Sequence, residues 1–255
     1  MKDLMLAANW KMNKTVTESI SFFSELDIRL KQWELNPRLD RIDILIFPSF
    51  ISIYSVNGRS EFISVGSQNI HFEEKGAFTG EISVGMIRDY AEYALIGHSE
   101  RREIFGETDS DINKKIRAAL SSGITPLLCI GETLEEREAG NTFKKTGDQL
   151  KEDLSGFSAE EIGKIVFAYE PVWAIGTGKT ASPEQAQEVH SFITEEINKT
   201  AGKEQKRLIL YGGSVKPENC KELLAKKDIN GALIGGASLN VESFFAIIEK
   251  SLELV

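Results

Sequence analysis

The stretch that decides the fold runs from residue 165 to residue 214 and reads IVFAYEPVWAIGTGKTASPEQAQEVHSFITEEINKTAGKEQKRLILYGGS. Short apolar runs at 165–169 and 208–211 bound it, and such continuous runs are typical of parallel strands buried on both faces. Between them, Ser182, Pro183 and Gln185 form a capping box with proline in the first turn, followed by apolar residues at helical spacing. The stretch is therefore predicted to be a strand, a helix and a second strand, joined by a right-handed crossover.

The same alternation extends outward over the whole chain. The apolar runs lie at 4–8, 42–47, 62–65, 93–96, 124–130, 165–169, 208–211 and 232–234. A first helix is predicted by the spacing of Ile20, Phe23, Leu26 and Leu30. The 255 residues divided by eight give about 32 per unit, enough for a strand, a helix and two loops. We expect one (β/α)8 barrel domain over residues 1–255, with an eight-stranded doubly wound sheet as the alternative.

Composition and charge narrow the possible partners. The chain has 30 basic and 39 acidic side chains and a net charge of -9, which opposes non-specific binding to nucleic acid or to an anionic membrane. We find neither the features of a signal peptide nor an apolar run of about 20 residues, the length of a membrane span. The sequence therefore predicts a cytoplasmic protein that binds neither nucleic acid nor membrane.

Cysteine and histidine are few and far apart. Cys129 and Cys220 form no paired motif, and we expect both to be reduced. His71, His98 and His190 lack the spacing of metal ligands. We expect chemistry without metal or other cofactor, and we interpret Cys129, His71 and His190 as structural residues.

The candidate site residues lie in polar or glycine-rich segments that directly follow the first, fourth, sixth, seventh and eighth apolar runs. These segments are Asn9-Trp10-Lys11, Gly97-His98-Ser99-Glu100, Glu170-Pro171, Gly212-Gly213-Ser214 and Gly235-Gly236. In a closed barrel these strand ends surround one mouth, where the active site of such folds lies. A cation, an imidazole, a carboxylate and glycine-rich turns on one rim indicate a site that binds an anion and transfers a proton at carbon.

Several motifs make the chain resemble the triosephosphate isomerase family. They are NWKMN at 9–13, QN at 68–69, GAFTGE at 76–81, GHSERR at 97–102, AYEPVWAIGTGKT at 168–180, YGGS at 211–214 and GGASL at 235–239. The resemblance implies a (β/α)8 barrel that interconverts D-glyceraldehyde 3-phosphate and dihydroxyacetone phosphate through an enediolate, in glycolysis and gluconeogenesis. Two departures are Lys14, where the family often has glycine, and Ser49, where it often has proline.

The resemblance also implies roles for individual residues. Glu170 corresponds to the base, and His98 to the electrophile, for which the family is the established example of a neutral imidazole at a helix N-terminus. Asn9 and Lys11 correspond to polar partners of the substrate oxygens, and Glu100 is expected to orient Lys11.

Phosphate binding and subunit contact are likewise expected from the resemblance. Phosphate binding maps to Gly176, Ser214, Gly235 and Gly236, and residues 171–180 correspond to a lid that closes over the substrate. The loop at 68–81 corresponds to one that docks into a second subunit, which predicts a homodimer with Thr79 near Asn9 and Glu100 of the second copy.

Two other function classes stay open at this point. Another metal-free enzyme of phosphorylated sugars is compatible with a barrel and phosphate loops, although the lid sequence argues against it. A non-catalytic sugar-phosphate binder on the same fold would tolerate loss of Lys11, His98 or Glu170, and all three are present.

Overall fold

Eight parallel strands close into a barrel in the computed structural model, which describes residues 3–33, 36–175, 180–203 and 207–255. The strands are β1 Leu4–Asn9, β2 Ile42–Phe47, β3 Ile63–Ser67, β4 Tyr93–Ile96, β5 Thr125–Ile130, β6 Val166–Tyr169, β7 Ile209–Tyr211 and β8 Gly231–Ile234. Each strand pairs with the next, and β8 pairs with β1, so that Leu6 lies opposite Ala232. This closure confirms the (β/α)8 barrel and excludes the doubly wound sheet, which has two free edges.

Helices connect the strands on the outside of the barrel. In the described part of the chain they are α1 Val16–Lys31, α2 Phe50–Val56, α3 Val84–Ile87, α4 Ser99–Glu103, α5 Asp109–Ser121, α6 Leu134–Glu138, α7 Thr142–Asp153, α8 Ala159–Ile162, α9 Pro183–Ala201, α10 Cys220–Leu224 and α11 Val241–Leu252. The predicted capping box of α9 is confirmed, because the Ser182 side chain accepts from Gln185 N and the Gln185 side chain accepts from Ser182 N. The described residues also include 3-10 turns at Leu39–Arg41, Val172–Ala174 and Gly236–Leu239.

The first helix is confirmed with one difference in its buried face. Phe23, Leu26 and Leu30 are buried as expected, but Ile20 is only half-buried and Phe22 is buried instead. A period of 3.6 residues centres the buried face near Leu26 and Leu30, so Phe22 lies at one edge of this face and Ile20 lies just beyond the other edge.

Two separate clusters of apolar side chains hold the barrel. Alternate residues of each strand point to opposite sides, so in β1 Leu4 and Leu6 pack outward against the helices while Met5 and Ala7 point into the barrel. The interior is tightly filled. A Cβ added to Gly66 would lie 2.3 Å from the Phe47 ring, so only glycine leaves room for that side chain. The interior is thus a packed core that supports the rim.

The loop between β3 and α3 extends away from the barrel. Its base is tied by a backbone hydrogen bond of 2.8 Å from His71 N to Ile82 O, and residues 73–81 are exposed. His71 packs against the rings of Phe72 and Phe78, at centroid distances of 4.5 Å each. Among the described residues, no helix is both long enough and apolar enough to span a membrane.

Candidate active site

The predicted site residues meet at the carboxyl ends of the strands, around a cavity of about 890 Å³. Those that line it are Asn9, Lys11, His98, Glu170, Ser214, Gly235 and Gly236. Gly176, the remaining predicted substrate contact, lies outside the described residues. The structure therefore brings together the residues that the sequence places at the carboxyl ends of β1, β4, β6, β7 and β8.

Lys11 has a strained backbone that its neighbours stabilise. Its φ of 52° lies in the left-handed region, which is uncommon for a residue other than glycine. Lys11 N donates to Asn9 Oδ1 at 3.0 Å, and Lys11 O accepts from Gln68 Nε2 at 2.8 Å. Gln68 also donates to Phe47 O at 3.0 Å, so it links the loops after β1 and β2. The backbone geometry that aims Lys11 at the cavity is therefore imposed by its surroundings.

Glu100 contacts the Lys11 side chain directly. Lys11 Nζ donates to Glu100 Oε1 at 2.6 Å, across a separation of 89 positions in the sequence. A carboxylate on one side of the ammonium group fixes its position and still leaves it two donors. This contact is the one expected of a residue that orients Lys11.

His98 is the N-cap of α4, and this position defines which ring nitrogen carries a proton. His98 Nδ1 accepts a hydrogen bond of 3.2 Å from Glu100 N. A ring nitrogen that accepts from a backbone N–H has no proton of its own, so the ring is neutral and its proton is on Nε2. The Nε2 atom lies 3.0 Å from Glu170 Oε1.

Glu170 directly follows β6 and is only 1% exposed. Its Oε1 atom faces His98 Nε2, and its Oε2 atom accepts from Ser99 N at 2.8 Å. Both donors belong to the segment that begins α4, whose first N–H groups have no partner within the helix. The carboxylate is thus held at the wall of the cavity by a hydrogen bond to Oε2 and by the imidazole that lies 3.0 Å from Oε1.

Two glycines on neighbouring strands make room for Glu170. A Cβ at Gly131, after β5, would lie 1.7 Å from Glu170 O, and a Cβ at Gly212, after β7, would lie 2.9 Å from Glu170 Cγ. Both distances are below those that real Cβ atoms adopt. The absence of a side chain at these two positions therefore sets where the carboxylate can lie.

Backbone groups after β7 and β8 form the other side of the cavity. Ser214, Gly235 and Gly236 line it, and the Gly236–Leu239 turn begins there. A Cβ at Gly236 would meet no atom within 4 Å, so the glycine faces open space. N–H groups at the start of a helical turn, with no side chain in front of them, are suited to bind a phosphate.

Glu132 is a buried residue of this region to which the sequence analysis gave no role. Its Oε1 atom accepts from Tyr169 Oη at 3.1 Å, from Trp173 Nε1 at 3.0 Å and from Arg137 Nη1 at 3.2 Å. Its carbonyl oxygen accepts from Val172 N at 3.1 Å. Glu132 therefore anchors the segment that follows Glu170. Its position after β5 and Gly131 is the one sequence signal that could have found it.

Three residues interpreted as structural lie where that interpretation expects them. Cys129 is part of the barrel interior, where burial and the nearby Glu170 carboxylate raise the pKa of its thiol well above the ordinary value. His71 packs in the loop after β3, and burial lowers the pKa of His190 to about 4. None of these three side chains lines the main cavity.

The fold and the site together define a (β/α)8-barrel enzyme whose rim combines an ammonium group, an imidazole and a carboxylate. A family model described as triosephosphate isomerase matches residues 4–251. The chain belongs to the triosephosphate isomerase family.

Similar proteins match over nearly their whole length. A triosephosphate isomerase of Carboxydothermus hydrogenoformans is 50% identical over 257 residues, which cover 99% of this chain and 100% of that protein. One of Aquifex aeolicus is 51% identical over 249 residues, with 96% and 98% covered, and one of Endomicrobium trichonymphae is 48% identical over 255 residues, with 98% and 100% covered.

Proposed function

We propose that Glu170 and His98 catalyse the interconversion of D-glyceraldehyde 3-phosphate and dihydroxyacetone phosphate, a step of glycolysis and gluconeogenesis. The observation that carries this assignment is the distance of 3.0 Å between Glu170 Oε1 and His98 Nε2, at the wall of a cavity that Lys11 also lines. A base and a hydrogen-bond donor side by side can remove the proton next to a carbonyl and stabilise its oxygen at the same moment.

The electrophiles are needed because a carboxylate is a weak base. With an ordinary pKa of about 4.3, a glutamate cannot form a free enolate in water. The neutral His98 ring donates its Nε2 proton to the substrate oxygen, and Lys11 and Asn9 stabilise the charge that develops on the enediolate. Glu100 keeps Lys11 in place through the hydrogen bond of 2.6 Å.

Substrate binding requires Glu170 to exchange its partners. In the structure, Ser99 N and His98 Nε2 each contact one of its oxygens. When a substrate oxygen accepts the hydrogen bond from His98 Nε2, Glu170 Oε1 becomes free. Release of Oε2 from Ser99 N then lets the carboxylate reach the substrate carbon next to the carbonyl. The reaction therefore begins with a shift of the base away from the start of α4.

The phosphate group of the substrate binds to N–H groups of Gly176, Ser214, Gly235 and Gly236. Closure of residues 171–180 then removes water from the site. Two charges 4 Å apart interact by about 1 kcal/mol in bulk water and about 4 kcal/mol at an effective dielectric constant of 20. Closure thus strengthens each electrophile and protects the enediolate from side reactions.

Isomerisation of the two triose phosphates, measured with a chelator present, tests this assignment. We expect chelator to leave the wild type active, and Glu170→Asp and His98→Gln to lower kcat by roughly 10²-fold or more in folded protein. A wild type that binds the substrate without isomerising it would contradict the assignment and would instead identify a sugar-phosphate binder.

We further propose a homodimer formed through the loop at 68–81. Apolar side chains are unusually exposed beside the site, Met12 by 97% and Phe105 by 68%, which is characteristic of an interaction surface. They border a second cavity of about 210 Å³, which Glu100 and Asn9 also line. The exposed loop from a second copy fits there, with Thr79 approaching Asn9 and Glu100.

Sedimentation at micromolar concentration tests the dimer. Thr79→Arg places a charge in the proposed contact and should produce a monomer, whereas Thr200→Arg makes the same change on an exposed face of α9 and should not. A fully active wild-type monomer would contradict the proposal.

We also propose that residues 1–255 form a single domain and that the protein is cytoplasmic. The interior cluster of the barrel draws on β1, β2 and β4 to β8, which supports a single domain over residues 1–255. Both cysteines are free and buried, as is compatible with the reducing cytoplasm.

A further inference from the structure

Lys14 has a backbone conformation that favours a different residue. Its φ of 68° lies in the left-handed region, where glycine is comfortable and a lysine is strained. The local backbone gives no reason for a side chain here, so the reason is to be sought in what the lysine side chain contacts.

The ammonium group of Lys14 is held in a specific place. Lys14 Nζ donates to Leu239 O at 2.8 Å and lies 4.8 Å from the ring centroid of Phe22 and 5.2 Å from that of Trp10. Contact of a cation with two aromatic rings fixes it more firmly than a single surface hydrogen bond. Burial lowers the pKa of Lys14, and the Glu18 carboxylate opposes this change.

Leu239 ends the short turn whose beginning faces the main cavity. The turn spans Gly236–Leu239, and both Gly235 and Gly236 line the cavity. A Cβ on Gly236 would meet no atom within 4 Å, so no side chain packs against the turn at this residue. The position of the turn therefore depends on the contacts that its other residues make.

Two residues of the first loop provide this support. Trp10 Nε1 donates to Ser238 O at 3.2 Å, and Lys14 Nζ donates to Leu239 O. A cation at the carboxyl end of a helical turn interacts favourably with the same dipole that attracts an anion to its N–H end.

We propose that Lys14 is a positioning residue for the phosphate site, because it anchors the Gly236–Leu239 turn so that the Gly235 and Gly236 N–H groups converge on the anion. This inference rests on the proposed function only in assuming that the anion is the substrate phosphate. Lys14 acts through Leu239 and does not contact the substrate.

Binding of inorganic phosphate, followed by calorimetric titration, tests the role without requiring isomerase activity. In Lys14→Gly and Lys14→Met we expect the dissociation constant to rise by about threefold to tenfold, the range typical for loss of one ordinary hydrogen bond, because Lys14 acts on the anion only through the turn. Lys14→Arg keeps a donor and a cation and should restore most of the affinity. In Lys14→Gly and Lys14→Met, the fold increase in KM should exceed the fold decrease in kcat.

Thermal unfolding separates positioning from a general structural effect. Lys14→Gly loses the contacts with Leu239 and the two rings but relieves the left-handed backbone, so its Tm should stay close to that of the wild type while phosphate affinity falls. Lys114→Met is the matched control, because Lys114 Nζ lies 4.8 Å from the Phe72 ring, away from the site, and should leave phosphate binding unchanged.

Unchanged phosphate affinity in Lys14→Gly would overturn the proposal, as would a loss of affinity that appears equally in Lys114→Met. A wild type that binds no phosphate would also overturn it. A wild type that binds phosphate but does not isomerise triose phosphates would contradict the proposed function and leave the role of Lys14 intact.

Discussion

Gly212 lies after β7 and faces the side chain of Glu170, so a single methyl group added there tests whether the carboxylate position governs catalysis. The Cβ of Gly212→Ala would lie 2.9 Å from Glu170 Cγ and 3.1 Å from Tyr169 O, whereas ordinary contact begins at 3.4 Å. The shortfall to Glu170 Cγ is 3.4 minus 2.9, or 0.5 Å. The side chain of the base or the end of β6 must move by at least that much.

The size of the effect follows from this displacement. A misplacement of about 1 Å at a reacting centre costs roughly 10²-fold in rate, which corresponds to about 2.7 kcal/mol. We therefore expect kcat of Gly212→Ala to fall by about 10-fold to 100-fold. Overpacking of this kind also lowers the free energy of unfolding by about 1 to 3 kcal/mol. Phosphate affinity should be preserved because Gly235 and Gly236 are untouched.

Steady-state isomerase kinetics with inhibition by inorganic phosphate separate these effects. Gly85→Ala is the matched control, since its Cβ would come no closer than 3.8 Å to another residue, and it should keep wild-type kcat. A folded Gly212→Ala protein with kcat within threefold of wild type would show that the reasoning about the base is wrong.

The lining of the cavity and the burial of His190 lead to three further predictions. Gly236→Ala adds a methyl group in open space on the cavity side, so the protein should stay stable while KM and the inhibition constant of phosphate rise by about tenfold or more, as kinetics would show. Ile175→Gly removes an apolar side chain that lines the cavity, and methylglyoxal formed per turnover should increase; an unchanged yield contradicts the lid proposal. Burial lowers the pKa of His190 from 6.5 to about 4, so its stabilising contribution is complete above pH 6.5 and is lost as pH falls toward 4. Urea unfolding at pH 7 and pH 4 should therefore show a loss of stability that is smaller in His190→Gln by on the order of 3 kcal/mol. Equal pH dependence in both proteins would refute this.

The strands of the barrel were predictable because buried parallel strands leave a simple signal. The apolar runs at 42–47 and 93–96 coincide with β2 and β4, and the run at 165–169 differs from β6 by one residue. Closure of the barrel was harder to predict. The pairing of β8 with β1 joins the last strand to the first, and no local sequence pattern indicates such a pairing.

The site residues that lie at the ends of strands were predictable from the sequence. Asn9 ends β1, and His98 and Glu170 follow β4 and β6 at the same end of the barrel, so this topology alone brings them to one cavity. Glu132 was given no role, and Gln68 was given only a place in the QN motif and the 68–81 loop, because their contacts depend on which atoms the side chains reach in the folded chain.

The start of α4 connects His98 and Glu170, the two proposed catalytic groups, in a way that motifs do not reveal. The Glu100 N–H fixes the proton of His98 on Nε2, and the Ser99 N–H holds Glu170 at the distance where that proton reaches it. One short segment of backbone therefore contacts both the proposed electrophile, His98, and the proposed base, Glu170. Because these donors are main-chain groups, the arrangement survives changes of the Ser99 and Glu100 side chains but not of the helix start. The positions of Glu170 and His98 therefore depend more on the backbone conformation of α4 than on the side chains of its residues.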